Sequence, residues 1–218
     1  MTFRERKLRN DGQRGNLILE FAAIGPFLVL VLLGVVSVGF MLSRSVQVSQ
    51  LTRDAAHMFF DGVDFSVTGN QKVIGRLGYG MGLASDALGT IDTSGNGVVI
   101  LSQLLVVGDS ECAAAGYASP YSSCPNYHQL VIERRIVVGN PALRVSTFGS
   151  PVQALVQADG SIQPHDYCTD ASVLVPGGTP PRALGLVDGQ FTYGVESYFL
   201  MPAFSKFLAQ DSYSFILM

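Results

Sequence analysis

The sequence predicts an α+β protein in which a long N-terminal transmembrane helix continues into a small domain with an antiparallel β-sheet. Three observations support this fold class: an uncharged apolar run at 21–42, a helical stripe of apolar residues after it, and four strand-like segments nearer the C-terminus. The predicted parts are a basic leader at 1–15, a helix at 16–60 and an α+β domain at 61–218.

The apolar run is the first element to justify. Its 22 residues carry no charge, and about 20 apolar residues at 1.5 Å each cross a hydrocarbon core. The run is longer than a secretory signal core of about 7 to 15 residues. The best small-x-small cleavage site, Ser37-Val38-Gly39, also lies inside it. We therefore expect a permanent single-pass anchor in the lipid bilayer.

The charge distribution predicts the orientation of that anchor. Residues 1–15 hold five basic and two acidic residues, whereas the chain from Ser43 onward holds nine basic and fourteen acidic ones. Basic flanks stay in the cytoplasm, so we expect a bacterial inner-membrane protein whose N-terminus is cytoplasmic and whose domain is periplasmic or extracellular. An acidic outer domain also gives no electrostatic basis for binding nucleic acid.

One carboxylate, Glu20, precedes the apolar run. An acidic group at a helix centre in a membrane costs roughly 2.5 to 3.5 kcal/mol, and less near an end, so such a group usually has a partner. None of the next 22 residues can supply one. The surrounding motif is Gly15-x-x-x-x-Glu20-Phe21-Ala22, followed by Pro26-Phe27-Leu28.

This motif resembles a class III, type IV pilin-like signal, and most closely the TadE-like family, the minor pseudopilins of the tight-adherence (Flp) pilus. The resemblance implies a pilin-like fold and cleavage by a prepilin peptidase between Gly15 and Asn16. It implies assembly roles for Glu20, Phe21 and Pro26. The implied partners are the peptidase, other pilins and pseudopilins, and the membrane platform of the pilus machine. Asn16 departs from the pattern, because many pilins begin the mature chain with an apolar residue.

Elementary electrostatics explains why a motif of this kind would place a glutamate at position 20. Cleavage would leave an α-amine with a pKa near 8, about one helical turn before Glu20. Opposite charges in lipid are tolerable when paired and costly alone, so the amine of a neighbouring subunit would suit this carboxylate. Alternatively, Glu20 lies at headgroup level, where the helix N-terminus favours a negative charge.

Beyond the membrane, the helix is expected to continue to about Phe60 and to end at Asp61-Gly62. An amphipathic stripe indicates this, formed by Val48, Leu51, Ala55 and Met58, with Arg53, Asp54 and His57 to the side. A weaker stripe predicts a second, close-packed helix rather than a nucleotide-binding turn. It consists of Ile74, Leu77, Met81, Ala84 and Leu88, interrupted by Gly75, Gly78, Gly80 and Gly82.

The strands are expected at about 98–107, 129–138, 190–201 and 212–218, in an antiparallel sheet against which the outer half of the helix packs. In the third strand, one face should hold Phe191, Tyr193, Val195 and Phe199, and the other Thr192, Glu196 and Tyr198. A turn at 92–97 leads into the first strand. The proline-rich stretch 139–189 should be mostly loop with short strands.

Three cysteines follow the anchor. Cys112 and Cys124 enclose eleven residues and form a reasonable disulfide loop on an oxidising side of the membrane. Cys168 is then either free and buried, or it pairs with Cys124 instead. Zinc is a less favoured alternative, on the spacings Cys124-x-x-x-His128 and His165-x-x-Cys168, because a disulfide would consume one ligand.

Catalytic patterns are missing from the sequence. It contains no Gly-x-Ser-x-Gly elbow, His-Glu-x-x-His pair or phosphate loop, and His57 lies far from the other two histidines. Asp166 and Asp170 bracket Cys168, but nothing in the sequence orients a thiol site there. We therefore predict an assembly subunit rather than an enzyme, with no cofactor, metal or small-molecule substrate. The alternative is an uncleaved, membrane-anchored exported binding protein or enzyme.

Overall fold

The computed structural model describes residues 11–83, 93–176, 185–200 and 211–218, with side chains from Leu19 onward. Contacts divide the chain into two units, Met1–Ser43 and Arg44–Met218. The helices are α1 (Asp11–Phe60), α2 (Thr68–Gly80), α3 (Asp109–Ala114) and α4 (Pro164–Thr169). The strands are β1 (Gly97–Val106), β2 (Leu130–Gly139), β3 (Phe191–Phe199) and β4 (Ser212–Leu217). The predicted α+β fold, with a long apolar helix and a small antiparallel sheet, is confirmed.

The first unit contains the N-terminal part of α1. By length and composition α1 is long and apolar enough to cross a membrane, and among the described residues it is the one helix that is. Its apolar side chains at 21–42 are exposed or half-buried, so they suit contact with lipid. The polar Ser37 hydroxyl donates to the Leu33 carbonyl at 2.7 Å, which satisfies it within the helix.

The second unit begins with the C-terminal part of α1, where the predicted stripe is confirmed. Val48, Leu51 and Ala55 are fully buried, while the charged residues beside them are exposed. The helix ends as predicted at Phe60, and Gly62 follows it with a φ of 84°, a left-handed value that glycine adopts without strain. α2 confirms a second helix at Ile74 and Leu77, but it ends at Gly80, before Met81 of the predicted stripe. Ala84, Leu88 and Asp92 lie outside the described residues.

The four strands form one antiparallel sheet in the order β2-β1-β3-β4. Their bounds match the prediction to within one or two residues, except that position 201 of the third strand lies outside the described ranges. The predicted alternation of β3 also holds. Phe59 of α1 packs edge-on against Tyr193 at a centroid distance of 5.1 Å, and Val195 and Phe199 join the same core.

The first face of the sheet therefore packs against helices. Its core joins α1 and α2 to alternate residues of β1, β2 and β3, among them Val99, Leu101, Ile136, Val138 and Val195. A second core gathers the opposite end of β1 and β2 with α3 and α4, and contains all three cysteines. The C-terminal part of α1 and the sheet thus belong to one unit from Arg44 onward.

The expectation of short strands within 139–189 is wrong for the described part of that stretch. It contains α4 and short 3₁₀ turns at Pro141–Leu143, Gln153–Leu155 and Ala171–Val173. Only isolated bridges pair it, such as Arg134 with Ser161. Prolines explain the difference, because proline removes a ladder donor and suits the first turn of a helix, as Pro164 does in α4.

Candidate functional site

The predicted processing and assembly residues all lie in the N-terminal part of α1. Gly15 and Asn16 are helical in backbone. Glu20 is exposed, and the Phe21 side chain beside it is 74% exposed. Within the part of the chain that the structure describes, no group forms a hydrogen bond or ion pair with the Glu20 carboxylate. The roles of these processing and assembly residues stay predictions, because the first unit by itself contains no peptidase or neighbouring subunit for them to contact.

Pro26 lies inside α1. Proline has no backbone N–H, so the Ala22 carbonyl one turn earlier loses its usual helical donor. The helix is nevertheless continuous through this position. The structure therefore places a locally weakened turn within the apolar run, six residues after Glu20.

The cysteines form a compact cluster in the second core. Cys112 and Cys124 are joined by a disulfide, and Cys168 is a buried free thiol, so of the two predicted arrangements the structure has the first. All three Sγ atoms lie within 4.8 Å of one another. The zinc set is not assembled, since neither histidine joins this group: His128 Nδ1 lies 2.8 Å from Asp188 instead, and His165 is exposed.

The surroundings of Cys168 do not form a thiol active site. Burial raises the pKa of its thiol to about 11, so the thiol stays protonated near neutral pH and is a poor nucleophile. Hydrogen bonding by the Ser172 side chain, and by the Ser172 backbone amide at 2.7 Å, lowers the pKa of the Asp170 carboxyl. Among the described residues, neither Asp166 nor Asp170 forms a hydrogen bond with Cys168, so no base orients the thiol.

The second face of the sheet carries a buried polar cluster that the sequence analysis did not single out. Glu196 of β3 is only 1% exposed. Its carboxylate accepts hydrogen bonds from the Ser146 hydroxyl, from the Thr147 amide and hydroxyl at 2.9 and 2.7 Å, and from the Tyr213 hydroxyl at 2.8 Å. The segment following β2 thus covers a face on which the alternation of β3 placed Glu196 and Tyr198.

Two arginines adjoin this cluster. Arg135 of β2 is 7% exposed and donates to the Gly149 carbonyl at 2.9 Å. Burial lowers the pKa of Arg135 to about 10, an effect that the Glu196 charge opposes. The Arg144 guanidinium lies over the Tyr213 ring, 3.7 Å from its centroid.

The arginines line a cavity of about 390 Å³ between the sheet and the segment that covers it. The polar residues around it are Ser66, Gln71, Ser146, Ser150, Gln153 and Gln157. The sequence held one signal for this site: Glu133-Arg134-Arg135 interrupts an otherwise apolar strand. Alternation puts Arg135 on the same face as Glu196, but only the tertiary structure shows that this face is covered.

Comparison with known proteins gives one finding. No curated protein and no solved structure matches the chain significantly. A family model described as TadE-like protein matches residues 15–57, a range that begins at the predicted cleavage residue and ends within α1. The predicted resemblance is therefore confirmed for this N-terminal segment, which is similar to the TadE-like protein family.

Proposed function

We propose that this chain is a minor pseudopilin of a tight-adherence type pilus or a related secretion apparatus. In this role it is a structural subunit, anchored in the bacterial inner membrane by the N-terminal part of α1. Its domain from Arg44 onward lies on the periplasmic side. Its partners are a prepilin peptidase, other pilins and pseudopilins, and the platform protein of the machine.

One observation carries this proposal: the family match over residues 15–57. The matched segment contains the complete Gly15, Glu20 and Phe21 motif and the whole apolar run. It stops shortly before α1 ends at Phe60. The similarity thus covers the part of the chain that a peptidase and neighbouring helices would contact.

The exposure of the apolar side chains at 21–42 supports a role in lipid and in helix packing. Glu20 has no partner among the described residues, and a carboxylate at the edge of lipid needs one. In our proposal the partner is the α-amine that cleavage after Gly15 exposes on a neighbouring subunit. Each helix would then be held at a defined height relative to the next.

The absence of a nucleophile–base pair in the described structure fits a structural role. The polar groups of the second unit are engaged mainly in holding the fold, as the Glu196 cluster shows.

The charge difference between residues 1–15 and the chain after Ser43 supports a cytoplasmic N-terminus. A domain on the oxidising side would also keep the Cys112–Cys124 disulfide.

Processing is tested by intact-mass measurement of the protein from its native host. We expect the mature chain to begin at Asn16, having lost fifteen residues. Gly15→Ala should block this cleavage, because the peptidase requires a small, flexible residue before the cut. Gly34→Ala is a matched control, since an added Cβ there meets no atom within 4 Å, and it should be processed normally.

Two results would contradict the proposal. The first is a wild-type chain that keeps its initiator methionine in a host with an active prepilin peptidase. The second is normal trimming of Gly15→Ala. Either would favour the uncleaved, membrane-anchored exported protein.

A further inference from the structure

The cavity over the second sheet face has an unbalanced charge. Among the residues that the structure describes, its wall contains Arg135 and Arg144 but no aspartate or glutamate. Neither arginine forms an ion pair in the described ranges, where the ion pairs join Arg134 to Asp64 and His128 to Asp188. The cavity therefore presents two cations without a paired anion.

Glu196 is the carboxylate closest to this imbalance, and it is already engaged. Its two oxygens accept from the Ser146 hydroxyl, from two Thr147 groups and from the Tyr213 hydroxyl. Three of these four donors meet Oε1 and one meets Oε2, and none of the four belongs to an arginine. Glu196 partly offsets the arginine charge at a distance, but in the described structure it forms no hydrogen bond with either arginine.

The arginines themselves have donors to spare. The Nε atoms of both Arg135 and Arg144 are buried and lack a hydrogen-bond partner within the described structure. Arg135 is more than nine-tenths buried, and a desolvated charge is costly unless it is paired. An anion entering the cavity would offset that cost at both guanidinium groups.

The shape and lining of the cavity indicate the kind of anion. Guanidinium groups match planar carboxylates with paired hydrogen bonds. Ser150, Gln153 and Gln157 add neutral polar groups, whereas the Ser66 and Ser146 hydroxyls already donate to Asp64 and Glu196. Ile100, Val137 and Val156 supply apolar wall. A volume of about 390 Å³ falls within the range of small-ligand sites, about 300 to 1,000 Å³.

We propose that this cavity is a binding site for a small organic carboxylate, whose anionic group lies between Arg135 and Arg144 and whose carbon skeleton contacts the apolar wall. The site belongs to the second unit alone. It is independent of the pseudopilin role, because it uses none of the residues 15–57.

Isothermal titration calorimetry on the full chain in a non-ionic detergent tests the proposal. The probes are glutarate, its neutral diamide glutaramide, and inorganic phosphate. We expect glutarate to bind with a Kd of about 1 mM or tighter, to weaken as salt is raised, and to bind at least about tenfold more tightly than glutaramide. Phosphate should bind more weakly than glutarate, since it cannot use the apolar wall.

Two variants assign the binding to this cavity. Arg144→Gln removes one cation and should weaken glutarate binding about tenfold or more. Gln157→Glu keeps the size of an exposed side chain but adds a negative charge to the wall, so it should weaken binding even if Arg144→Gln perturbs the packing against Tyr213. The matched controls are Arg76→Gln and Gln50→Glu, both exposed and outside the cavity wall, and neither should change the Kd.

Several results would overturn the proposal. These are no heat of binding for glutarate well above 1 mM, equal affinity for glutaramide, or unchanged affinity in both Arg144→Gln and Gln157→Glu. Phosphate binding as tightly as glutarate would likewise refute an organic carboxylate as the ligand. Processing at Gly15 should be normal in all of these variants, so failure of this inference is distinguishable from failure of the pseudopilin role.

Discussion

Glu196 shows at residue scale how a single buried charge organises the second face of the sheet. It fixes Ser146 and Thr147 of the covering segment and Tyr213 of β4 to one point on β3. The covering segment also approaches β3 closely at Gly194, where an added Cβ would lie 2.6 Å from the Phe148 ring. The Glu196 carboxylate therefore anchors the segment that forms the cavity, and Gly194 leaves room for that segment to approach the sheet.

Replacing Glu196 with glutamine should destabilise the second unit by about 3 kcal/mol, because at least one donor would be left unsatisfied and a negative charge that partly offsets the burial of Arg135 would be lost. Urea unfolding of the full chain in detergent, followed by tyrosine circular dichroism, measures this. Asp54→Asn on the exposed side of α1 is the control and should change the free energy of unfolding by less than about 0.5 kcal/mol. An unchanged midpoint for Glu196→Gln would contradict the role given to the carboxylate.

Cys168 provides a second residue-scale prediction. Its thiol pKa is raised to about 11 and the side chain is 0% exposed, so iodoacetamide at pH 8 should label the folded chain far more slowly than the urea-unfolded chain. Because the pKa is raised from 9.0, the protonated thiol stabilises the fold fully below pH 9, and this contribution is lost as the pH rises toward 11.

Labelling is followed by intact mass under non-reducing conditions. Cys168→Ser should take up no label, since Cys112 and Cys124 are joined in a disulfide. Rapid labelling of the folded wild-type chain at pH 8 would show that Cys168 is accessible, contrary to the structure. Label on Cys168→Ser would show that the disulfide is open.

At element scale, the end of α1 contrasts two adjacent phenylalanines. Phe59 is 3% exposed and packs against Phe65 and Tyr193, whereas Phe60 is 56% exposed. Phe59→Ala should cost about 3 to 5 kcal/mol, the usual cost of truncating a buried phenylalanine. Phe60 contacts the same Tyr193 ring, but Phe60→Ala should lower the free energy of unfolding much less, because most of the Phe60 surface is already in solvent.

The same urea experiment compares the two variants. Equal loss of stability in both would mean that the C-terminal part of α1 does not dock through the Phe59 face. A larger loss for Phe59→Ala would support the predicted stripe as the part of α1 that belongs to the folded domain. The stripe was readable in advance because its apolar residues recur at helical spacing while the intervening positions are charged.

At the scale of the whole molecule, the two ends of α1 have opposite surroundings. The apolar side chains at 21–42 are exposed and suit lipid, whereas Val48, Leu51 and Ala55 on the same helix are buried in a protein core. The transition falls near Arg44, whose guanidinium donates to the Gly82 carbonyl. The helix thus has an exposed apolar segment, long enough to cross a membrane, at one end and a part that is packed into a folded domain at the other.

A substitution at Glu20 can test assembly separately from folding. Glu20→Ala should leave membrane insertion and the stability of the second unit unchanged, because the carboxylate has no partner in the described structure. It should reduce the number of assembled pili, since the proposed partner is a neighbouring amine. Membrane fractionation measures insertion, and electron microscopy of the host measures pili; normal piliation would make Glu20 a bystander.

Much of the fold could be predicted from patterns that depend on the local chain. The apolar run, the stripe from Val48 to Met58 and the four strands follow from residue periodicity, and the Gly15–Glu20–Phe21 motif was visible as a resemblance. The short strands expected in 139–189 were wrong. Proline-rich segments have no strong period, so their conformation is set by what they cover rather than by their own alternation.

The long apolar helix, the antiparallel sheet and a reasonable disulfide could be read from the amino-acid sequence alone, because hydrophobic period and cysteine spacing are properties of neighbouring residues. Only the tertiary structure decided that Cys168 stays free and that the face carrying Glu196 is covered. It alone brought Arg135 and Arg144 to the wall of one cavity. Those outcomes depend on contacts between residues far apart in the chain, whose pairing is fixed by packing and by the satisfaction of buried polar groups.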